Sequence, residues 1–539
     1  MKRRSFLGGA TATTIFMGTG FQNPLAAAAR AGSGNNPIAE TVAGKVRGIQ
    51  NGKISAFKGI HYGAPTTGKG RFMPASKVES WSDVKDCLDI GQRAPQLPGN
   101  LVPEYAVMER TEPMGGDCLV CNVFTPGLKD GKKRPVMFWL HGGGYAAGSG
   151  GGNAVYDGTN LAAKHDVVVV TINHRLNIFG FLYLADIGGE RFANASNVGM
   201  LDVVLALQWV RDNIANFGGD PNNVTIFGQS GGGGKVSTLL GMPAAKGLFH
   251  KAIAMSGSAL TGIPRDEATK TAEAVMKKLG VKEVADLQTV PMLTMLDLTR
   301  PGALGIPARW GPVTDGRTLP ADPFEPVATS ISADVPLMIG STETEITWNA
   351  GQQYDPLDDN ALRANIKRAL RVNDAGADKV VSVYKKNRPK ASNLDLYLIA
   401  GTDGSNFREG TDVEADRKAA LAKAPVYKYY FQFYSPVRDG MLRSMHTMDI
   451  PFVFQNVDVA STEIGKGTEL HPLADRMSGA WTSFARTGNP NHKLIPNWPA
   501  YTPQQKATIV FGNTDTKVVN DPYREEKDAI ATARRDNKA

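Results

Sequence analysis

One stretch, VTIFGQSGGGGKVSTLL at residues 224–240, constrains the fold of this chain most. Its apolar start has strand character, a glycine-rich turn surrounds a single serine, and a helical pattern follows without a linker. The letters GQSGG around Ser230 fit the pattern G-x-S-x-G, in which a strained strand-to-helix turn requires small neighbours. The stretch therefore predicts a serine raised above a strand end, where the amides of the next helix favour negative charge.

A phosphate-binding loop is the first alternative for this turn. Its pattern, G-x-x-x-x-G-K-[ST], requires Ser or Thr after Lys235 and Gly five residues before Gly234. Val236 and Gln229 occupy those positions, so the pattern fails twice. A flexible link is also disfavoured, because the turn lies between two regular elements.

A second glycine cluster, HGGGY from His141, follows the apolar run MFWL. Gly142, Gly144 and Ala147 satisfy a loose dinucleotide-binding pattern, but no helix pattern begins before Asn153. Backbone N–H groups can approach an oxyanion only where no side chain intrudes. We therefore interpret this cluster as an oxyanion-binding loop.

Strand and helix patterns alternate through the middle of the chain. The runs RPVMFWL and DVVVVTI are continuously apolar, as expected for strands buried on both faces of a parallel sheet. NVGMLDVVLALQWVRDN has helical spacing, and KAIAM reads as the next strand. The order predicts an α/β fold: a central, mostly parallel twisted sheet with helices on both faces. Small antiparallel strands are expected in residues 42–65, and residues 260–335 and 350–440 read as large helical insertions.

Composition excludes several classes of protein. A formal charge of +8 over 539 residues, without a run of basic residues, argues against nucleic-acid binding. Three cysteines, Cys87, Cys118 and Cys121, are too few for a disulfide scaffold, although one bridge stays open. The CxxC spacing of the last two lacks a second pair, so strand cysteines are favoured over a metal or redox site.

The N-terminus, MKRRSFLGG, carries the pair Arg3-Arg4 and resembles a twin-arginine export signal. The small residues of PLAAAARA suit cleavage near Ala28 or Ala31. Polar residues interrupt the apolar run, so no stable membrane insertion is expected. We predict a signal peptide at residues 1–31, a single mature domain at 32–539, and a periplasmic or secreted protein.

With both glycine clusters in place, the chain resembles the type-B carboxylesterase family, the cholinesterase-like branch of the α/β-hydrolase fold, and its bacterial para-nitrobenzyl-esterase-like members. The likeness runs through FKGIHYGAP, PVMFWLHGGGY, VVVVTINHRLNIFGFL, NVTIFGQSGGG and MSGAWTSFARTGNPN. It implies the α/β-hydrolase fold and hydrolysis of a small-molecule carboxylic ester through an acyl-enzyme, with no metal or organic cofactor.

The family's Ser-Glu-His triad is transferred residue by residue. Ser230 matches the nucleophile, and His446 in SMHTMDIPFVF matches the histidine. In VPLMIGSTETEITW, Glu345 matches the acid, with Glu343 two residues away or another Asp or Glu as the alternatives, since Thr342, Thr344 and Ile346 replace the family's usual neighbours.

The resemblance also assigns supporting groups. Gly143, Gly144 and Gly231 match the three oxyanion donors, and Ser256 matches a serine that supports the acid by a hydrogen bond, with a plain core hydroxyl as the alternative. Gln229 departs from the family, because many members have Glu before the nucleophile. Stabilisation of a cationic substrate should therefore be weaker here.

Some alternatives stay open at the level of sequence. The same triad could cleave carbamates or amides, and some relatives with this fold are non-catalytic adhesion proteins. His141 and His174 read as core or supporting residues. Met292, Met295 and Trp348 are candidates for the substrate pocket, although core packing is favoured. The natural substrate and the oligomeric state are not indicated.

Overall fold

The apolar runs form the middle of an eleven-stranded sheet in the computed structural model, which describes residues 36–99, 101–350 and 356–537. The predicted signal peptide lies outside the described residues. The strands in chain order are β1 (Ile38–Glu40), β2 (Lys45–Arg47), β3 (Ile49–Asn51), β4 (Ile54–His61), β5 (Lys85–Asp86), β6 (Val120–Thr125), β7 (Arg134–Leu140), β8 (Val168–Ile172), β9 (Gly219–Gln229), β10 (Lys251–Met255), β11 (Ile263–Pro264), β12 (Val313–Thr314), β13 (Leu337–Thr342), β14 (Val426–Gln432), β15 (Ala507–Gly512) and β16 (Thr516–Asn520).

The large sheet has the order β3-β4-β6-β8-β7-β9-β10-β13-β14-β15-β16. Neighbours from β8 to β15 are parallel, whereas β3, β4 and β6 at one edge and β16 at the other pair antiparallel. Strands β1, β2 and β5 form a small separate sheet, and β11 pairs with β12. The predicted α/β class, with a mostly parallel sheet and small antiparallel strands at the N-terminal side, is confirmed.

Helices cover both faces of the sheet. The α-helices are α1 (Pro103–Ala106), α2 (Thr159–His165), α3 (Asn177–Phe181), α4 (Val198–Asn213), α5 (Gly231–Leu240), α6 (Arg265–Leu279), α7 (Met292–Asp297), α8 (Thr347–Ala350), α9 (Asp359–Leu370), α10 (Asp374–Asn387), α11 (Asn393–Asp403), α12 (Thr411–Ala420), α13 (Ile450–Val453), α14 (Ser461–Ile464), α15 (Leu470–Thr487) and α16 (Arg524–Asp536). Single-turn helices occupy Gly68–Gly70, Ala154–Tyr156, Glu190–Phe192, Ile214–Phe217, Pro243–Ala245, Val284–Gln288 and, with π geometry, Asn406–Gly410.

Alternation along the central strands divides the apolar interior into two cores. Phe138 and Leu140 of β7 pack in one core with α4 and α5, while Met137 and Trp139 pack in the other with α2 and α15. This arrangement follows from the two-residue period of a strand, which points successive side chains to opposite faces. All seven residues of β7 are buried, as the continuous apolar run predicts.

The insertions have small cores of their own. Helices α6 and α7 pack around one apolar cluster, and α9, α10 and α11 pack with the C-terminal helix α16 around another. Pro37–Ala539 form one compact unit. No helix within the described ranges is long and apolar enough to cross a membrane.

Strand β9 differs from its predicted extent. It begins at Gly219, five residues before the apolar run, because Gly218 adopts a φ of 75° that ends the preceding helical turn. Gly219 then pairs with Arg134, and an irregularity in the register precedes the regular pairing of Val224. The three cysteines are free and buried, so the single disulfide bond that the sequence allowed is not present among them.

Candidate active site

The serine turn lies where β9 ends and α5 begins. Ser230 has φ 59° and ψ −123°, a strained conformation for a residue with a side chain. The backbone fixes this turn: Ser230 N–H donates to the Met255 carbonyl at 2.8 Å, and Gly234 N–H donates to the Ser230 carbonyl at 3.0 Å. A Cβ added at Gly232 would lie 2.0 Å from the Leu140 carbonyl oxygen. The glycine pattern is thus required by close backbone approach.

The second glycine cluster meets this turn. Gly143 and Gly144 have φ values of 84° and 63°, a left-handed backbone that favours glycine. A Cβ at Gly231 would lie 2.1 Å from the Gly144 carbonyl oxygen, so the two glycine segments touch. Gly231 is the first residue of α5, where N–H groups have no intrahelical acceptor. The three predicted oxyanion donors therefore lie on two adjoining segments.

Glu345 and His446 are brought together from positions 101 residues apart. Glu345 Oε2 lies 2.5 Å from His446 Nδ1, and the Glu345 side chain is fully buried. Thr342 N–H donates to the other carboxylate oxygen, Oε1, at 2.7 Å, which fixes the carboxylate plane. Phe407 and Trp348 pack against the imidazole, with ring centroids 4.7 and 6.0 Å from its own.

Glu343, the alternative acid, is bonded to residues other than His446. Its carboxylate accepts from Arg388 Nη1 at 2.9 Å, Gln432 Nε2 at 3.0 Å and Tyr434 Oη at 2.5 Å. Arg388 also pairs with Glu526 of the C-terminal helix. Glu343 is thus committed to a buried ion-pair network that anchors the end of β13.

The amide of Gln229 lies beside the imidazole. Its Nε2 is 3.2 Å from His446 Nε2 and 3.4 Å from Nδ1, and the residue is buried. No hydrogen bond joins Ser230 Oγ to His446 among the bonds of the described residues.

Ser256 does not make the bond that the resemblance implied. Its Oγ is buried and has no hydrogen-bond partner within the described part of the chain. Ser256 has a φ of 48° and its N–H donates to the Gly340 carbonyl at 2.8 Å. The backbone of Thr342, rather than Ser256, supports Glu345 here.

A further buried carboxyl group lies near Glu345 and His446. Asp449, three residues after His446, is fully buried and accepts from Tyr429 Oη at 2.9 Å. Burial and the neighbouring charge of Glu345 raise the pKa of Asp449 to about 7. Sequence reasoning missed Asp449, although the motif HTMDIPFVF carries it at fixed spacing from the histidine.

Ser230 and His446 line the same cavity, of about 340 Å³. It lies at the carboxyl ends of parallel strands, the usual place for a binding site in α/β sheets. Its wall is largely aromatic and glycine-rich and includes Gly99, Leu101, Tyr105, Gly142, Gly143, Gly144, Ala147, Tyr156, Gln229, Glu345, Trp348, Phe407 and Thr447. A neighbouring cavity of about 480 Å³ shares part of this wall.

Other predicted residues are placed as follows. Trp348 lines the cavity, whereas Met295 is buried in the cluster around α6 and α7, with Met292 packed against it. His141 and His174 are buried, with stacked rings 5.2 Å apart, and burial lowers the pKa of both. Within the described ranges, no cluster of His, Cys, Asp or Glu could hold a metal ion.

The sheet order, the serine turn and the cavity define an α/β-hydrolase. Comparison with known proteins specifies the class further. A sequence model of the "Carboxylesterase family" matches residues 35–530. The para-nitrobenzyl esterase of Bacillus subtilis (strain 168) is 35% identical over 509 residues, covering 92% of this chain and 98% of that protein.

Two more relatives agree. The phenmedipham hydrolase of Pseudarthrobacter oxydans is 32% identical over 514 residues, covering 92% of this chain and 99% of its own length. A solved esterase from anaerobic Clostridium hathewayi, described as able to hydrolyse aliphatic aromatic polyesters, superposes with a TM-score of 0.80 at 33% identity, covering 93% and 99% of the two chains. The chain belongs to the carboxylesterase family. It is a serine hydrolase that cleaves carboxylic esters.

Proposed function

We propose that Ser230, His446 and Glu345 are the nucleophile, the general base and the acid of this esterase. The observation that carries the assignment is the 2.5 Å bond between Glu345 Oε2 and His446 Nδ1, in the wall of a cavity that Ser230 also lines. A nucleophile, a base and a third group that orients the base are the parts that a covalent mechanism requires.

In the first half-reaction, His446 Nε2 takes the proton of Ser230 Oγ while Oγ bonds to the ester carbonyl carbon. Glu345 accepts a hydrogen bond from Nδ1–H, which holds this tautomer and stabilises the imidazolium without taking its proton. The imidazolium then gives its proton to the alcohol oxygen as the carbon–oxygen bond breaks. Water repeats the sequence on the acyl-enzyme, releasing the acid and restoring Ser230.

The N–H groups of Gly143, Gly144 and Gly231 are the proposed donors to the tetrahedral oxyanion. They come from two segments whose backbones are in contact, and Gly231 adds the field of a helix N-terminus. Donors fixed in this way need no reorganisation when charge develops, so each contributes strongly to catalysis.

The cavity supports small esters with an apolar or aromatic group as substrates. Tyr105, Tyr156, Trp348, Phe407 and Leu101 supply apolar wall, and no carboxylate of a Glu at position 229 is present to hold a cation. Hydrolysis rates across p-nitrophenyl esters of increasing acyl length, beside the matching anilides and carbamates, test this preference.

Ser230→Ala tests the nucleophile. We expect kcat to fall by about three decades or more, because the covalent route is lost. Ser237→Ala is the matched control, since Ser237 lies on helix α5, which follows Ser230, and donates to Glu414, outside the cavity. A Ser230→Ala protein that keeps most of its turnover would remove this assignment.

We further propose that the protein is exported by the twin-arginine route to the periplasm or the medium. Support comes from Arg3 and Arg4 and from a family match that begins at residue 35, after the predicted cleavage site. Replacing both arginines by lysine should keep the esterase in the cytoplasm of an expressing bacterium. Unchanged export of that variant would contradict the proposal.

A further inference from the structure

Helix α5 begins with an unusual run, Gly231–Gly234, each glycine lowering helix stability by ~0.5–1 kcal/mol relative to alanine. Close packing explains the run. A Cβ at Gly231 would meet the Gly144 backbone, and a Cβ at Gly232 would meet the Leu140 carbonyl. The start of the helix is thus pressed against the oxyanion-binding loop, and Lys235 is the first residue of α5 with a side chain.

The Lys235 side chain is completely buried beneath that loop. Its Nζ donates a hydrogen bond to the His141 carbonyl oxygen at 2.9 Å. The Tyr145 ring lies on another side, with its centroid 5.7 Å from Nζ. His141 is the residue directly before Gly142–Gly144, so the lysine holds the peptide group that leads into the oxyanion donors.

Complete burial of a lysine side chain lowers the free energy of unfolding. Burial lowers the pKa of Lys235 to about 7, and no carboxylate of the described residues lies within ion-pair distance of Nζ. An amine removed from water with one hydrogen bond and an aromatic neighbour lowers the stability of the fold. A buried lysine that destabilises the fold and lies next to the cavity loop is a candidate for a functional role.

The His141 side chain adds a second constraint, on the next peptide group of the loop. Its Nδ1 donates to the Gly142 carbonyl at 2.8 Å, and its ring stacks on that of His174. The carbonyls of His141 and Gly142 are therefore both engaged. Of these two bonds, the one from Lys235 connects the loop to helix α5, which begins directly after Ser230.

We propose that Lys235 is a positioning residue of the oxyanion hole. Its bond to the His141 carbonyl ties the loop of Gly143 and Gly144 to helix α5, which begins at Gly231, so that donors from both segments converge on one oxygen. The inference rests on the proposed function, because it concerns the same oxyanion hole. It assigns to Lys235 no proton transfer and no contact with substrate.

The test compares Lys235→Met with Lys418→Met. Lys418 is a matched control: it is also buried, and it donates to the carbonyls of Ser332 and Ala333, away from the cavity. Each kcat for a p-nitrophenyl ester is divided by the fraction of protein that a fluorophosphonate labels at the end point. Inhibition by a trifluoromethyl ketone, which forms an oxyanion on the nucleophile, and the melting temperature are measured beside it.

We expect Lys235→Met to lower kcat by about 10- to 100-fold with KM unchanged, because displaced donors weaken the transition state alone. Inhibition by the trifluoromethyl ketone should weaken by a similar factor. Lys418→Met should alter the melting temperature but neither kcat nor the inhibition. A merely structural role for Lys235 predicts the Lys418 pattern for both variants, and that result would overturn the inference.

Lys235→Gln is used if Lys235→Met does not fold. Its side chain stays polar but is one atom shorter, so we expect its N–H group to fall short of the His141 carbonyl. A kcat lowered at least about threefold, with KM unchanged, supports the inference, and wild-type kcat and inhibition overturn it. Ser230→Ala separates a failure of the proposed function from a failure of the role proposed for Lys235. If that variant stays active, the proposed function fails; if it is inactive while the Lys235 variants match wild type, only the role of Lys235 fails.

Discussion

Replacement of Glu345 by glutamine tests the contact between Glu345 and His446, because the change preserves the shape of the side chain and removes its charge. The Glu345 carboxylate lies 2.5 Å from His446 Nδ1 in a fully buried position, so the imidazolium of the transition state has this anion as its direct partner. A glutamine amide that donates there would favour the wrong imidazole tautomer. We expect kcat to fall by about 10³- to 10⁴-fold, equal to ~4–5.5 kcal/mol of transition-state stabilisation.

Glu343→Gln is the matched control two residues away. It removes a charge that is paired with Arg388 at 2.9 Å, while Glu526 remains as a second partner of that arginine. We expect a loss of ~2–3 kcal/mol in unfolding free energy, measured in urea, with kcat nearly unchanged. Steady-state rates on a p-nitrophenyl ester give the comparison. Equal losses of kcat in the two variants, or a Glu345→Gln enzyme above about a tenth of wild-type activity, would refute the reasoning.

Three further changes have defined outcomes. Gln229→Glu places a carboxylate beside the His446 ring, so the acid limb of the pH profile of kcat/KM should move up by about one to two pH units; no movement would count against this contact. Gly232→Ala puts a Cβ 2.0 Å from the Leu140 carbonyl oxygen, and urea unfolding should show a loss of ~3 kcal/mol or more; wild-type stability would contradict the close approach. Burial raises the pKa of Glu414 to about 8, above its unfolded value, so its contribution to stability is lost as pH rises from about 4.5 to 8. Glu414→Gln should flatten the fall in melting temperature over that range, and an unchanged slope would contradict the assignment.

The local parts of this site could be predicted from the sequence alone. Ser230 could be predicted because the strand, the turn and the helix around it follow one another directly in the sequence. Strand β7 could be predicted as fully buried because its apolar run is continuous. His446 and Glu345 needed the family resemblance, since 101 residues separate them and no local pattern joins them. Glu343 and Glu345 are distinguished by the residues that each carboxylate meets, which sequence does not show.

The contacts that escaped prediction depend on packing between distant segments. The bond expected from Ser256 is absent, and the Thr342 backbone N–H donates to Glu345 Oε1 instead. The sequence pattern used Lys235 only to reject a phosphate-binding loop and did not indicate that close packing at the start of α5 buries it completely. The early start of β9 depends on its pairing with Arg134, which an apolar pattern cannot reveal.

The most direct measurement of the central claim is peptide mapping by mass spectrometry after reaction with a fluorophosphonate ester. The account predicts one added phosphonyl group per chain, on the peptide that contains Ser230, with loss of esterase activity in proportion to labelling. It also predicts that labelling slows sharply in His446→Ala. Modification of another residue, or full activity after complete labelling of Ser230, would contradict the claim.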